Sequence, residues 1–107
     1  VEAIFDNLIR NAIDVMRDGG TLSINATHIL MEKDRQGWIV VQISDTGVGI
    51  PKEKYQAIFE LGTTSKKDHG GEGLWLVKTF VGKLGGKVAV DSTIGKGSKF
   101  TVTLPSY

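Results

Sequence analysis

Asp45-Thr46-Gly47-Val48-Gly49-Ile50-Pro51 constrains this 107-residue chain more than any other stretch. Ahead of it, Trp38 to Ser44 alternates in character, with Ile39, Val41 and Ile43 on one side, as a strand does. Behind it, Pro51 suits the first position of a helix, and Lys52 to Phe59 reads as a short one. A chain that leaves a strand, passes two glycines and enters a helix sets a carboxyl group at a strand end beside backbone without Cβ atoms. Two readings fit. One is a plain turn, which also favours Asp and Gly. The other is a surface on which a flat ring lies against the main chain while the carboxylate accepts a bond from an exocyclic amino group, a description that suits adenine.

Length and composition narrow the field around this motif. One small domain with one core is expected, since 40% of the residues are hydrophobic and the chain is too short for a second core. The formal net charge of +1 gives no electrostatic argument for nucleic acid or for direct contact with an anionic membrane. With no cysteine, disulfides, thiolate metal sites and thiol nucleophiles are excluded. No apolar run approaches the ~20 residues of a membrane helix, and the N-terminus lacks signal-peptide character. Fourteen glycines cluster mostly after Asp45, as expected where loops do the binding.

In chain order, Val1, Ile4, Phe5, Leu8, Ala12, Val15 and Met16 recur at three and four, predicting a helix from Val1 to about Arg17 with one buried arc. Asn7, Asn11 and Asp14 form a stripe along the border of that arc. Asparagine is a mediocre helix former, so the stripe asks for a reason. It could hold Mg²⁺, which takes amide, carboxylate and phosphate oxygens, or it could be boundary amides bonded to backbone. The helix opens without a cap, so further residues are expected upstream. After Asp18-Gly19-Gly20, Leu22, Ile24, Ala26 and Leu30 alternate with polar residues, and this strand and Trp38–Ser44 read as a hairpin. His28 falls on the apolar side and reads as a packed or edge histidine.

Between Glu60 and Glu72 the periodicity vanishes in a polar, glycine-rich stretch that reads as a mobile loop or lid. A helix resumes at Gly73, with Leu74, Leu76, Val77, Phe80, Val81 and Leu84 on one arc and Trp75 opposite. Val88 and Val90, then Phe100, Val102 and Leu104, mark two closing strands joined by 92–98. A helix N-terminus at Gly71-Glu72-Gly73-Leu74 offers free N–H groups to phosphates. Lys66 can bring a cation to the terminal phosphate, and Thr63, Thr64 and Ser65 can add hydroxyl donors. This cradle is not a P-loop, for no G-x-x-x-x-G-K-[ST] is present.

At these residues the chain resembles the catalytic and ATP-binding domain of two-component sensor histidine kinases, in the Bergerat-type superfamily shared with gyrase and mismatch-repair ATPases. Asn7-Leu8-Ile9-Arg10-Asn11-Ala12 resembles the N box and Asp45 to Ile50 the G1 box. Ile58-Phe59-Glu60 with Thr63-Thr64-Ser65-Lys66 resembles the F box, Gly71-Glu72-Gly73-Leu74 the G2 box, and Gly95 to Phe100 the last glycine motif. Asn11 to Met16 followed by Gly19 to Leu22 is similar to the nitrogen-regulation subgroup.

The resemblance implies an α/β fold, a two-layer α/β sandwich of a mixed β-sheet with helices on one face, truncated at its N-terminus. It implies a cytoplasmic domain that transfers the γ-phosphoryl group of Mg-ATP to a histidine. Asn11 would hold Mg²⁺, Asn7 would meet a phosphate or metal-bound water, Asp45 the adenine amino group, and Gly47 and Gly49 the ring's edge. Gly71, Gly73 and Leu74 would receive the phosphates, with Asp14, Ile50 and Phe59 completing the ATP-binding set and Lys66 joining Asn7 and Asn11 in catalysis.

Three departures stand out: His69 in place of the first G2 glycine, Glu72 in place of the first G2 leucine, and Gly62 where the F box has its second aromatic. The branches that hydrolyse ATP carry Glu at the position of Asn7, where an amide cannot take a proton. The acceptor histidine is expected on a separate helical dimerisation and phosphoacceptor domain, with a response-regulator receiver as onward recipient. Trp75 would either touch that partner or lie under the loop. The competing readings are a gyrase-like ATP-hydrolysing clamp and a nucleotide-binding scaffold without kinase activity.

Overall fold

The computed structural model describes residues 2–31, 36–60 and 73–106. Helix α1 spans Glu2–Asp14 and buries Ile4, Leu8 and Ala12, the predicted arc. It ends three residues short of the predicted limit. Met16 N–H bonds back to Ile13 O at 3.1 Å, three residues away, so the chain tightens out of the α-helix before Gly19 and Gly20. Strand β1 spans Leu22–Met31 and pairs antiparallel with β2, Gln36–Asp45, as the predicted hairpin. Helix α2 spans Gly73–Lys83 and buries Leu74, Val77 and Val81. It closes with Gly85 N–H on Gly82 O at 3.1 Å and Gly86 N–H on Val81 O at 2.9 Å, a Schellman pattern. Strands β3, Lys87–Thr93, and β4, Gly97–Ser106, complete the sheet.

The strand order is β1-β2-β4-β3, so β4 enters between β2 and β3 after the chain has crossed over through α2. All three pairings among the described strands are antiparallel; the mixed sheet expected from the resemblance has no parallel pair there. The two-layer sandwich itself is as expected. Ile43, Phe100, Val102 and Leu104 from the sheet meet Ile4 and Leu8 of α1, Leu74, Val77 and Val81 of α2, and Phe59. Each such side chain, fully buried, contributes about 1.5–3 kcal/mol. The opposite face carries Gln42, Ser44, Lys99, Thr101 and Thr103, polar side chains suited to an uncovered sheet.

Between Pro51 and Glu60 the structure departs from the expected single helix. Two 3₁₀ turns, Lys52–Lys54 and Ala57–Phe59, take its place. So short a segment gains little from helical cooperativity. Its path is settled by two tertiary anchors, Tyr55 on Ser92 and Phe59 in the core.

Candidate functional site

One row of residues crosses the end of the sheet: Leu22 opposite Asp45, Asp45 opposite Ser98, and Ser98 opposite Ser92. Asp45 is 6% exposed, one of two buried polar side chains among the described residues; the other is Ser98. Its Oδ1 accepts the N–H of Gly47 at 2.8 Å and that of Ser98 at 3.3 Å. Both bonds converge on one oxygen. The second oxygen, Oδ2, is left as the acceptor that an exocyclic amino group requires, and two backbone donors hold the carboxyl plane in place.

The glycines of this loop meet protein before they meet any ligand. At Gly49, where φ is +81°, an added Cβ would collide with Thr93 O, and Gly95 N–H bonds to Val48 O at 2.9 Å, so the loop and the β3–β4 turn lie backbone against backbone. Gly97, at φ +136°, comes so close to Asp45 O that no Cβ fits between them. At Gly47 a Cβ would stand 2.7 Å from Val15 O, which brings the loop against the end of α1. Thr46 completes that join: its Oγ1 accepts the Thr21 N–H at 2.9 Å and lies 3.7 Å from Met16 Sδ.

On α1, Asn7 donates Nδ2–H to Ala3 O at 2.7 Å. The backbone-bonded reading of this amide is therefore correct for its nitrogen. Its oxygen has another neighbour: Oδ1 lies 3.2 Å from where a Cβ on Gly73 would stand, at the opening of α2. An amide oxygen is thus set beside a helix N-terminus, where unpaired N–H groups and the dipole favour an anion. Asn11 follows one turn after Asn7 and Asp14 ends the helix, both half-buried. Leu74 puts its side chain in the core while its backbone lies in the first turn of α2.

Ile50 is half-buried against the core, and its N–H bonds to Ser92 Oγ at 2.8 Å. Phe59, expected to contact ATP, turns into the core: it is 8% exposed, edge-to-face on Phe100 at 6.2 Å, with Lys78 Nζ 5.9 Å from its ring centre. Trp75 is 37% exposed on the outer side of α2, as its position in the helical pattern implied. Thr63, Thr64, Ser65, Lys66 and Gly71, together with Gly62, His69 and Glu72, lie outside the described residues.

Sequence reasoning gave no role to Tyr55 or to Ser92, which it left in the connection after β3. Tyr55 Oη accepts the Ser92 N–H at 2.8 Å and donates to Ser92 O at 2.9 Å. Ser92 Oγ donates to Gly97 O at 2.8 Å and stands 2.9 Å from Ser98 Oγ. The alternation of β3 runs on through Val88, Val90 and Ser92, the one signal that could have placed Ser92 on the site face.

Fold and site together define a nucleotide-binding domain of the two-layer α/β kind, with an acid buried at a strand end and an amide oxygen of α1 at the head of α2. The chain belongs to the family of histidine kinase-, DNA gyrase B- and HSP90-like ATPases, which matches residues 1–107. It is similar to the adaptive-response sensory kinase SasA of Gloeothece citriformis (strain PCC 7424), at 37% identity over the whole chain and 27% of that protein. Among solved structures it superposes on the mycobacterial sensor histidine kinase MprB with a TM-score of 0.82 at 28% identity, covering 96% of this chain and 68% of that one. It also superposes on full-length ShkA in complex with AMPPNP, with a TM-score of 0.81 at 26% identity, covering 95% of this chain and 20% of that one. The chain thus spans about a quarter of the length of SasA, at 27%. No helix among its described residues is long and apolar enough to cross a membrane.

Proposed function

We propose that this chain binds Mg-ATP and transfers its γ-phosphoryl group to a histidine on a helical dimerisation and phosphoacceptor domain, from which a response-regulator receiver takes it onward. The observation that carries the reading is Asp45, buried at its strand end with Oδ1 held by two backbone N–H groups and Oδ2 left for the adenine amino group. The likeness to sensor kinases, one of them described in complex with AMPPNP, supports it. The donor set suits Mg²⁺: Asn7 Oδ1 stands at the head of α2, and Asn11 follows one turn on. Asn11 would hold the ion and Asn7 would meet a phosphate or a metal-bound water. Mg²⁺ supplies neutralisation of the phosphate charge.

The chain's own residues bind and orient. Asp45 with Gly47 and Gly49, and Ile50 beside them, places the base, and the first turn of α2, from Gly73, offers N–H groups to the phosphates, with Lys66 as a further cation. Asn7 has no proton-accepting capacity at neutral pH, so water is not activated there. An imidazole nitrogen brings its own lone pair; the nitrogen–phosphorus bond forms as the bond from phosphorus to the β-γ bridging oxygen breaks, and ADP leaves. This favours histidine transfer over the gyrase-like clamp, whose hydrolysis needs a base.

ATP labelled at the γ-phosphate, mixed with this chain and a histidine-bearing helical domain, tests the reading. The expected result is acid-labile label on the histidine. Label released only as inorganic phosphate would move the chain to the hydrolysing class. Asn11→Ala should abolish the Mg²⁺-dependent transfer, and full activity in that variant would remove Asn11 from the metal.

A further inference from the structure

The hydrogen bonds around Ser92 leave its hydroxyl no spare capacity. With its proton on Gly97 O, it accepts from Ile50 N–H and, by elimination, from the Ser98 hydroxyl, which fills both lone pairs. A hydroxyl so committed does not serve a ligand; it fixes the parts around it. Those parts are the two sides of the site. Ile50 lies on the D-x-G-x-G loop, whereas Gly97 and Ser98 open β4, and Ser98 N–H in turn bonds Asp45 Oδ1.

Tyr55 closes the arrangement from outside. β3 is an edge strand, and the tyrosine hydroxyl engages both main-chain polar groups of Ser92 at 2.8 and 2.9 Å. Tyr55 stands between the two 3₁₀ turns, four residues beyond Pro51 and four before Phe59. It therefore ties the segment leaving the loop to the strand end that supports Asp45. From these bonds we infer that Tyr55 and Ser92 are positioning residues of the nucleotide site. Their clasp keeps the Gly49–Ile50 edge in register with Asp45, so that a ring lying on one is read by the other.

This inference rests on Asp45 reading the adenine. Because the clasp acts at the base end, its loss should weaken every adenine nucleotide alike, whatever its phosphate count and with or without Mg²⁺. Calorimetric titration of ADP and ATP into the 107-residue chain, in Mg²⁺ and in chelator, tests it. Tyr55→Phe and Ser92→Ala should each raise Kd about fivefold in all four titrations, the effect of one lost hydrogen bond set. Ser92→Thr, which keeps the hydroxyl, should hold the original affinity, a rescue that a general loss of folding would not give. Unchanged Kd in both Tyr55→Phe and Ser92→Ala, or a loss that Ser92→Thr shares, overturns the clasp. Asp45→Asn, run in parallel, separates the two ideas: if it binds normally, the adenine reading itself falls, whereas if it alone loses binding, only the clasp does.

Discussion

Asp45 shows how much chemistry one carboxyl group can hold when its two oxygens are treated differently. Gly47 and Ser98 both donate to Oδ1, which fixes the plane of the group and leaves Oδ2 outside those two bonds. Asp45→Asn can keep an oxygen on those two donors but puts an NH₂ where the adenine amino group needs an acceptor. Adenine nucleotide affinity should fall at least about tenfold, a donor having been set against a donor at a side chain only 6% exposed. Titration of ADP checks this, with circular dichroism confirming the retained fold; unchanged affinity would reject the assignment. Asn7 makes a related point. Its nitrogen satisfies Ala3 O, and the same bond turns its oxygen toward Gly73. Of the two readings that the asparagine stripe left open, the backbone bond is the one seen at Asn7, and it engages only the nitrogen end of the amide.

Among the elements, the β3–β4 hairpin departs most from its sequence-level reading. As a sequence it is two short alternating runs and a glycine-rich connection, ordinary punctuation. As a structure its turn is the wall against which the D-x-G-x-G loop rests, through Gly95 N–H on Val48 O and the close passage of Gly97 by Asp45 O. Sequence reasoning explained Gly47 and Gly49 by the approach of a ring. The structure supplies a prior reason, the approach of α1 and of β3, which a linear pattern cannot contain. Gly97→Ala should therefore act as a structural lesion, combining φ of +136° with a Cβ that has no space. A loss of about 2–4 kcal/mol is expected in urea unfolding. A variant within 0.5 kcal/mol of the parent would show that the hairpin can shift away from the loop.

Taken as a whole molecule, the sandwich is unevenly covered. The helices lie over β2, β4 and β3, where Ile43, Phe100, Val102 and Leu104 are buried, while β1 stands at the sheet edge with Ile24 56% and Leu30 67% exposed. β1 alternates through Leu22, Ile24 and Ala26, yet among its described side chains only Leu22 packs against the core. Apolar positions of the same type should thus have unequal worth. Leu104→Ala should cost about 2–5 kcal/mol and Leu30→Ser less than about 0.5 kcal/mol, compared by chemical denaturation of the two variants. Equal losses would mean that β1 is covered in solution.

Apart from the segment between Pro51 and Glu60, the described elements were legible in the chain because they rest on local physics. Period 3.6 marked Ile4, Leu8 and Ala12, period 2 marked Phe100, Val102 and Leu104, and glycine marked the turns. The places of Asp45 at the end of β2, of Asn7 and Asn11 on α1, and of Gly73 at the start of α2 were legible as well, since each is a position within one element. Strand order was not. That β4 inserts beside β2 depends on which strand can bury Phe100 and Val102 beneath both helices at once, a sum over distant contacts that no window of sequence holds. The row Asp45, Ser98, Ser92 follows from that insertion, and with it the grip of Tyr55, because register is a property of paired strands and not of either one.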